Sequence, residues 1–175
     1  MEDTMTTPAV PPVTGGAEGY LRKIAELAQN EGPTFFHLAA QLPKQGRTDT
    51  IFAASKVMTV ILKTYAVTGE NELHRHPVED HVFVVLEGEA EFYGPNGETR
   101  RVVKYDGVFV PDTAYYCFKA VGEEPLVMLR VGAKTDPSVE AGITARVDPL
   151  ERPTPGLYKG QPTVETILHE DRFFG

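Results

Sequence analysis

Residues 72–88 read Glu72-Leu73-His74-Arg75-His76-Pro77-Val78-Glu79-Asp80-His81-Val82-Phe83-Val84-Val85-Leu86-Glu87-Gly88, a histidine cluster running into an apolar segment. Alternate residues of a strand point to one face, so His74 and His76 project side by side and can chelate one metal ion through their ring nitrogens. Pro77 ends that extended run. A short loop then lets His81, at the head of the next strand, return to the same side. A bare His-x-His pair reads equally well as a polar strand end; the third histidine moves the reading to a metal site.

Outward from this stretch the pattern stays β. Val57 to Val67 (VMTVILKTYAV) is rich in β-branched residues, the composition of a strand. Ala90 to Tyr93 leads into Gly94-Pro95-Asn96-Gly97, and Asn-Gly between strand-like runs predicts a hairpin because both residues tolerate positive φ. Arg100 to Tyr105, Val108 to Val110, Tyr115 to Val121 and Leu126 to Val131 continue the series. Turn signals at this spacing indicate an all-β sandwich or barrel. Upstream, Tyr20, Leu21, Ile24, Leu27 and Ala28 recur at helical spacing, and Gly32-Pro33 supply stop signals, so Ala17 to Asn30 is predicted to be an amphipathic helix. A short helix is expected near Val164 to Leu168.

Within the strands, His81, Phe83 and Val85 form one inward set, and Tyr116 and Phe118 share the inward face of theirs. Phe83, Phe92, Phe109, Phe118, Leu126 and Met128 are expected to fill the interior, some of them lining an apolar pocket. Arg130, inside an apolar run, is read as turned out to solvent. Cys117 points away from Tyr116 and is read as a packing thiol. His37 and His169 are read as surface residues.

The chain has 175 residues and a formal net charge of −8, and no cluster of Lys and Arg stands out, so nucleic acid is not an expected partner. No apolar run is long enough to span a bilayer, and the N-terminus lacks the features of a signal peptide. A single cysteine, Cys117, rules out an intrachain disulfide and a thiolate metal cluster. A cytoplasmic location is expected.

The histidine spacing resembles the cupin superfamily. Its first motif, G-x5-H-x-H-x3,4-E-x6-G, is matched by Gly69-x4-His74-x-His76-x4-His81-x6-Gly88. Its second, G-x5-P-x-G-x2-H-x3-N, is matched by Asp106-Gly107-x3-Pro111-x-Thr113-x2-Tyr116. The resemblance implies an antiparallel double-stranded β-helix with an N-terminal helix and extended termini. The expected divisions are a flexible arm at 1–16, a helix with peripheral strands at 17–54, the barrel at 55–132, and an extension at 133–175 that packs on the barrel or on a partner subunit. The resemblance also implies a divalent transition metal, Fe(II) first, with Mn, Ni or Zn as alternatives.

In that resemblance His74, His76 and His81 are the metal ligands. His81 takes the place of the usual glutamate; a different spacing would put Asp80 there. Tyr116 replaces the second-motif histidine and Thr113 the glycine of P-x-G. The implied activity is a dioxygenase acting on a small aromatic or enolisable carbonyl compound, with Tyr116 orienting substrate and Glu79 or Asp80 acting as a base or as a partner to a ligand. A non-redox lyase or isomerase, and a non-catalytic small-molecule binder, are the alternatives. A homodimer is expected from the long termini.

Overall fold

The structure, a computed structural model, describes residues 10–14, 16–67, 72–138, 146–152 and 164–175. Gly69 of the first motif and most of the arm 1–16 lie outside the described residues, as do Pro153, Pro155 and Pro162 of the tail.

The amphipathic segment forms α1 (Gly16–Leu27), which buries Tyr20 and Ile24 against Ile51 and Ile61. Ten strands follow among the described residues: β1 (Ala40–Gln45), β2 (Arg47–Ala54), β3 (Met58–Tyr65), β4 (Glu79–Glu87), β5 (Glu89–Tyr93), β6 (Thr99–Val102), β7 (Gly107–Val110), β8 (Cys117–Val121), β9 (Leu126–Lys134) and β10 (Ile167–Phe174). They form a five-stranded sheet ordered β2-β3-β9-β4-β7, a three-stranded sheet ordered β6-β5-β8, and a pair β1-β10. All strand pairings are antiparallel.

One apolar cluster draws Tyr65, Phe83, Val85, Leu126 and Met128 from the larger sheet and Ala90, Phe92, Phe118 and Ala120 from the smaller. The two sheets therefore face each other across a common interior, which is the double-stranded β-helix the sequence predicts. Between β4 and β5 the chain turns at Gly88, whose φ is 71°. A Cβ there would stand 2.5 Å from the carbonyl oxygen of Pro125, so the turn needs glycine on both counts.

Three expectations are corrected. The segment expected to be a helix near Val164 to Leu168 instead enters β10, which pairs with β1 and packs Phe174 against the cluster of Ala40 and Leu42. An available strand edge and an apolar groove decide the conformation where local propensity is weak. Phe109 is 63% exposed, because it is the cross-strand partner of Val82 on the outer face. Arg130 turns inward: its partner across the β4–β9 ladder is Phe83, and directly opposed residues share a face.

The described end of the arm is attached, with the Val13 amide donating to the Asp49 carbonyl at 2.8 Å. No described helix is long and apolar enough to cross a membrane.

Candidate functional site

His74 and Tyr116 exchange both backbone hydrogen bonds, at 3.0 and 2.9 Å, in an isolated bridge. This bridge brings the two sequence motifs together. His76 follows two residues later, and β4 begins after the turn that Pro77 introduces. The rings of His74 and His76 lie 4.9 Å apart between centroids, those of His76 and His81 4.5 Å, and those of His74 and Tyr116 4.6 Å. All four side chains are buried.

The donor atoms of His76, Glu79 and His81 all fall within 4.8 Å of one another, close enough to hold one metal ion. His74 borders this set without belonging to it. Burial holds all three imidazoles neutral, which is their ligand form. It takes His74 down to about 3, with the Arg146 guanidinium adding to the effect. His76 is lowered by burial and then by its two histidine neighbours, and His81 by burial and then by Arg130.

The hydrogen bonds assign tautomers. His74 Nδ1 lies 2.6 Å from the Glu72 carbonyl oxygen. A carbonyl only accepts, so Nδ1 carries the proton and Nε2 the lone pair. Arg130 Nη2 lies 2.5 Å from His81 Nε2 and 2.8 Å from Glu79 Oε1. Arginine only donates, so the His81 proton is on Nδ1, which donates to the Tyr116 hydroxyl oxygen at 3.1 Å. The Tyr116 proton is then left for the cavity. Burial raises the Tyr116 pKa, so the phenol keeps that proton at neutral pH.

Two observations test whether these residues fit a metal. His76 Nδ1 is buried with no hydrogen-bond partner. His81 Nε2 and Glu79 Oε2 stand 3.2 Å apart with lone pairs on both, and Glu79 Oε2 has no hydrogen-bond partner. Arg130 Nη2 is one cation beside that pair, bonded to His81 Nε2 and Glu79 Oε1, and it leaves Glu79 Oε2 open to a second. The residues fit; a metal ion on His81 Nε2 would take the place of the Arg130 hydrogen bond.

The cavity beside this cluster is lined by His74, His76, His81, Tyr20, Tyr65, Tyr116, Phe83 and Phe118, together with four cationic side chains: Arg47, Lys63, Arg130 and Arg146. No carboxylate is among these described lining residues. Glu79 lies behind Arg130, in a smaller pocket with Ile24, Thr59 and Gly132. Asp80 points elsewhere and accepts from the Asp112 amide at 2.8 Å. Lys63 is paired with Asp49 at 2.6 Å; burial lowers it to about 8 against the raising effect of that pair. Glu79 raises Arg130 against the lowering effect of burial.

Sequence reading thus placed the three histidines, Tyr116 and Glu79 in one neighbourhood but missed the cations. Lys63 and Arg130 carried a signal, each being one charge inside an apolar strand. Arg47 and Arg146 carried none.

A family model described as "Cupin domain" matches residues 61–132. A conserved protein of unknown function from Streptococcus pyogenes superposes with a TM-score of 0.51 at 19% identity, covering 62% of this chain and 98% of that one. KdgF from Halomonas sp. gives 0.48 at 19%, covering 58% and 94%. The cupin domain of a Schizosaccharomyces pombe protein gives 0.47 at 20%, covering 53% and 67%. At such identities the likeness bears on fold alone. No curated protein matches the chain.

Proposed function

We propose that this chain, whose residues 61–132 match a cupin-domain model, is a metal-dependent enzyme that binds a small enolisable carbonyl compound and moves a proton on it without a change of oxidation state, as a lyase or isomerase. The observation that carries this reading is the buried Tyr116 hydroxyl, 3.1 Å from His81 Nδ1, beside a cavity rich in cations.

His76, Glu79 and His81 would hold the ion, with His74 beside them. A divalent ion there, Mn, Ni or Zn, supplies Lewis acidity toward the substrate carbonyl. Tyr116 holds a proton at its hydroxyl and offers it to the substrate oxygen on which charge develops, while neutral His74, with its lone pair on Nε2, takes the proton lost from the adjacent carbon. Lys63 and Arg130 favour an enolate over its neutral parent by their charge. The sheets and α1 enclose the reacting atoms and exclude water. Glu79 would serve the ion through Oε2 while its Oε1 stays bonded to Arg130 and holds that guanidinium in place.

The dioxygenase reading, with Fe(II) and an aromatic substrate, is the second. Three neutral histidines favour it, since such a set suits Fe(II) and leaves positions open. Against it, among the described residues only Phe83 and Phe118 supply apolar aromatic rings to the cavity.

The test is elemental analysis after purification in metal-free buffer, followed by turnover assays with and without O₂. About one equivalent of transition metal, with turnover unchanged in the absence of O₂, supports the proposal. Product formed only with Fe(II) and matched by O₂ uptake establishes the second reading instead. Failure to take up any added metal overturns both. A homodimer is proposed as well, from the length of the two extensions; sedimentation at micromolar concentration showing monomer alone would refute it.

A further inference from the structure

Arg146 comes from the C-terminal extension, well outside both histidine motifs. It reaches the cavity because the Arg75 and Val147 amides and carbonyls exchange two hydrogen bonds, each of 3.1 Å. The Arg75 side chain clasps the same strap through Glu151, with Nη2 to Oε2 at 2.5 Å and Nε to Oε1 at 3.0 Å. Tyr115 donates to Glu151 as well. Arg146 is only 8% exposed, and its Nε is buried without a hydrogen-bond partner.

A buried guanidinium N–H with no acceptor costs free energy that nothing on the strap recovers. Lys63 is paired with Asp49 and Arg130 with Glu79. Burial, and then the like charge of Arg47, lower the Arg146 pKa against the raising effects of Tyr116, Tyr65 and Glu72. The cavity therefore concentrates positive charge inside a chain whose net charge is −8. Such a field, in a pocket walled by Tyr65, Phe83 and Phe118, selects for an anion. A planar guanidinium fork selects further, for an oxyanion.

We infer that Arg146, with Arg47, is the binding site for the oxyanion head group, carboxylate or phosphate, of the small molecule this cavity takes. The inference rests on the proposed function for the use of that molecule but not for its binding, since the arginine site needs no metal. Arg146 holds one end of the ligand, and the other end then lies toward His76, His81 and Tyr116.

The experiment is calorimetric titration of the full chain, in EDTA, with inorganic phosphate and separately with acetate; acetamide is the neutral control. One or both anions bind saturably and acetamide does not, and the one that binds identifies the head group. Arg146→Gln weakens that binding by about tenfold or more, and Arg146→Lys by less, because a point charge replaces the fork. Circular dichroism and the melting temperature confirm that the variants fold. If neither anion saturates below about 50 mM, if acetamide binds equally, or if Arg146→Gln binds as the parent does, the site is overturned. Anion binding that appears only on adding Zn or Mn also overturns it while leaving the metal proposal standing. Anion binding in a chain that takes up no metal does the reverse.

Discussion

Nε2 of His81 accepts a hydrogen bond from the guanidinium of Arg130 at 2.5 Å. Arg130 also anchors Glu79 at 2.8 Å, and both members of that ion pair are buried. Removing one partner of a buried pair leaves the other charge uncompensated. Arg130→Met is therefore expected to destabilise the fold by about 3–5 kcal/mol. The double variant Arg130→Met/Glu79→Met should recover most of that loss, because no charge stays stranded. Urea unfolding of the two single variants and the double variant checks this; additive losses would contradict the pairing.

Gly132 faces His81 across the β4–β9 ladder. A Cβ at this position would stand 2.1 Å from Glu79 Oε1 and 3.0 Å from Arg130 Nη2. Gly132→Ala must push the ion pair aside, at a cost of about 1–3 kcal/mol typical of overpacking. Thermal unfolding measures the loss, and a melting temperature equal to the parent's would show that the pair is not packed against Gly132.

Acid should unfold the protein through its histidines. His74, His76 and His81 all have folded pKa values below the ordinary 6.5. Below pH 6.5 the unfolded chain takes up protons that the folded one refuses, so stability is complete above that pH and falls as pH drops. For His74 the loss runs from 6.5 to about 3. Each histidine contributes about 1.4 kcal/mol per pH unit within its window. Unfolding curves at pH 7.5 and 5.5 (about one unit either side of that value) test the sign; higher stability at the lower pH would be incompatible with neutral buried imidazoles.

The Arg75–Glu151 clasp lies near the surface, yet it positions Arg146. Arg75→Ala should leave the melting temperature little changed, since such pairs add little to stability. It should still weaken oxyanion binding, because the strap loses its side-chain clasp while keeping the backbone bridge. Titration beside a melting curve separates the two effects, and unaltered binding would show that the backbone bridge suffices.

Phe118 is fully buried, edge-on to Tyr65 and tilted against Phe92. Phe118→Ala is expected to cost about 3–5 kcal/mol, in the range for a large ring removed from a packed core. A loss below about 1 kcal/mol would mean that the interior collapses around the missing ring.

Much of this was legible in residue order. Alternation and β-branching gave β3, β4 and β9, and Asn96-Gly97 gave the β5–β6 hairpin. The inward set His81, Phe83 and Val85 needed only the period of two. The misreadings share a cause. Hydrophobicity alone points Phe109 inward and Arg130 outward, but their faces are set by register with Val82 and Phe83. The segment at β10 has weak local preference, and only the edge of β1 gives it a conformation.

By itself, the sequence determined the strand pattern, the three clustered histidines and the Tyr116 phenol of the second motif, because these depend on spacing along one or two adjacent strands. Tertiary structure alone decided what surrounds them. Arg47, Lys63, Arg130 and Arg146 come from strands and a strap far apart in the chain, and nothing in residue order announces that they meet. Ladder register and the Arg75–Val147 bridge bring them together. That convergence turns a histidine cluster in an acidic protein into a positively charged cavity, and cooperative strand pairing over long separations is the physical reason it could not be read from local pattern.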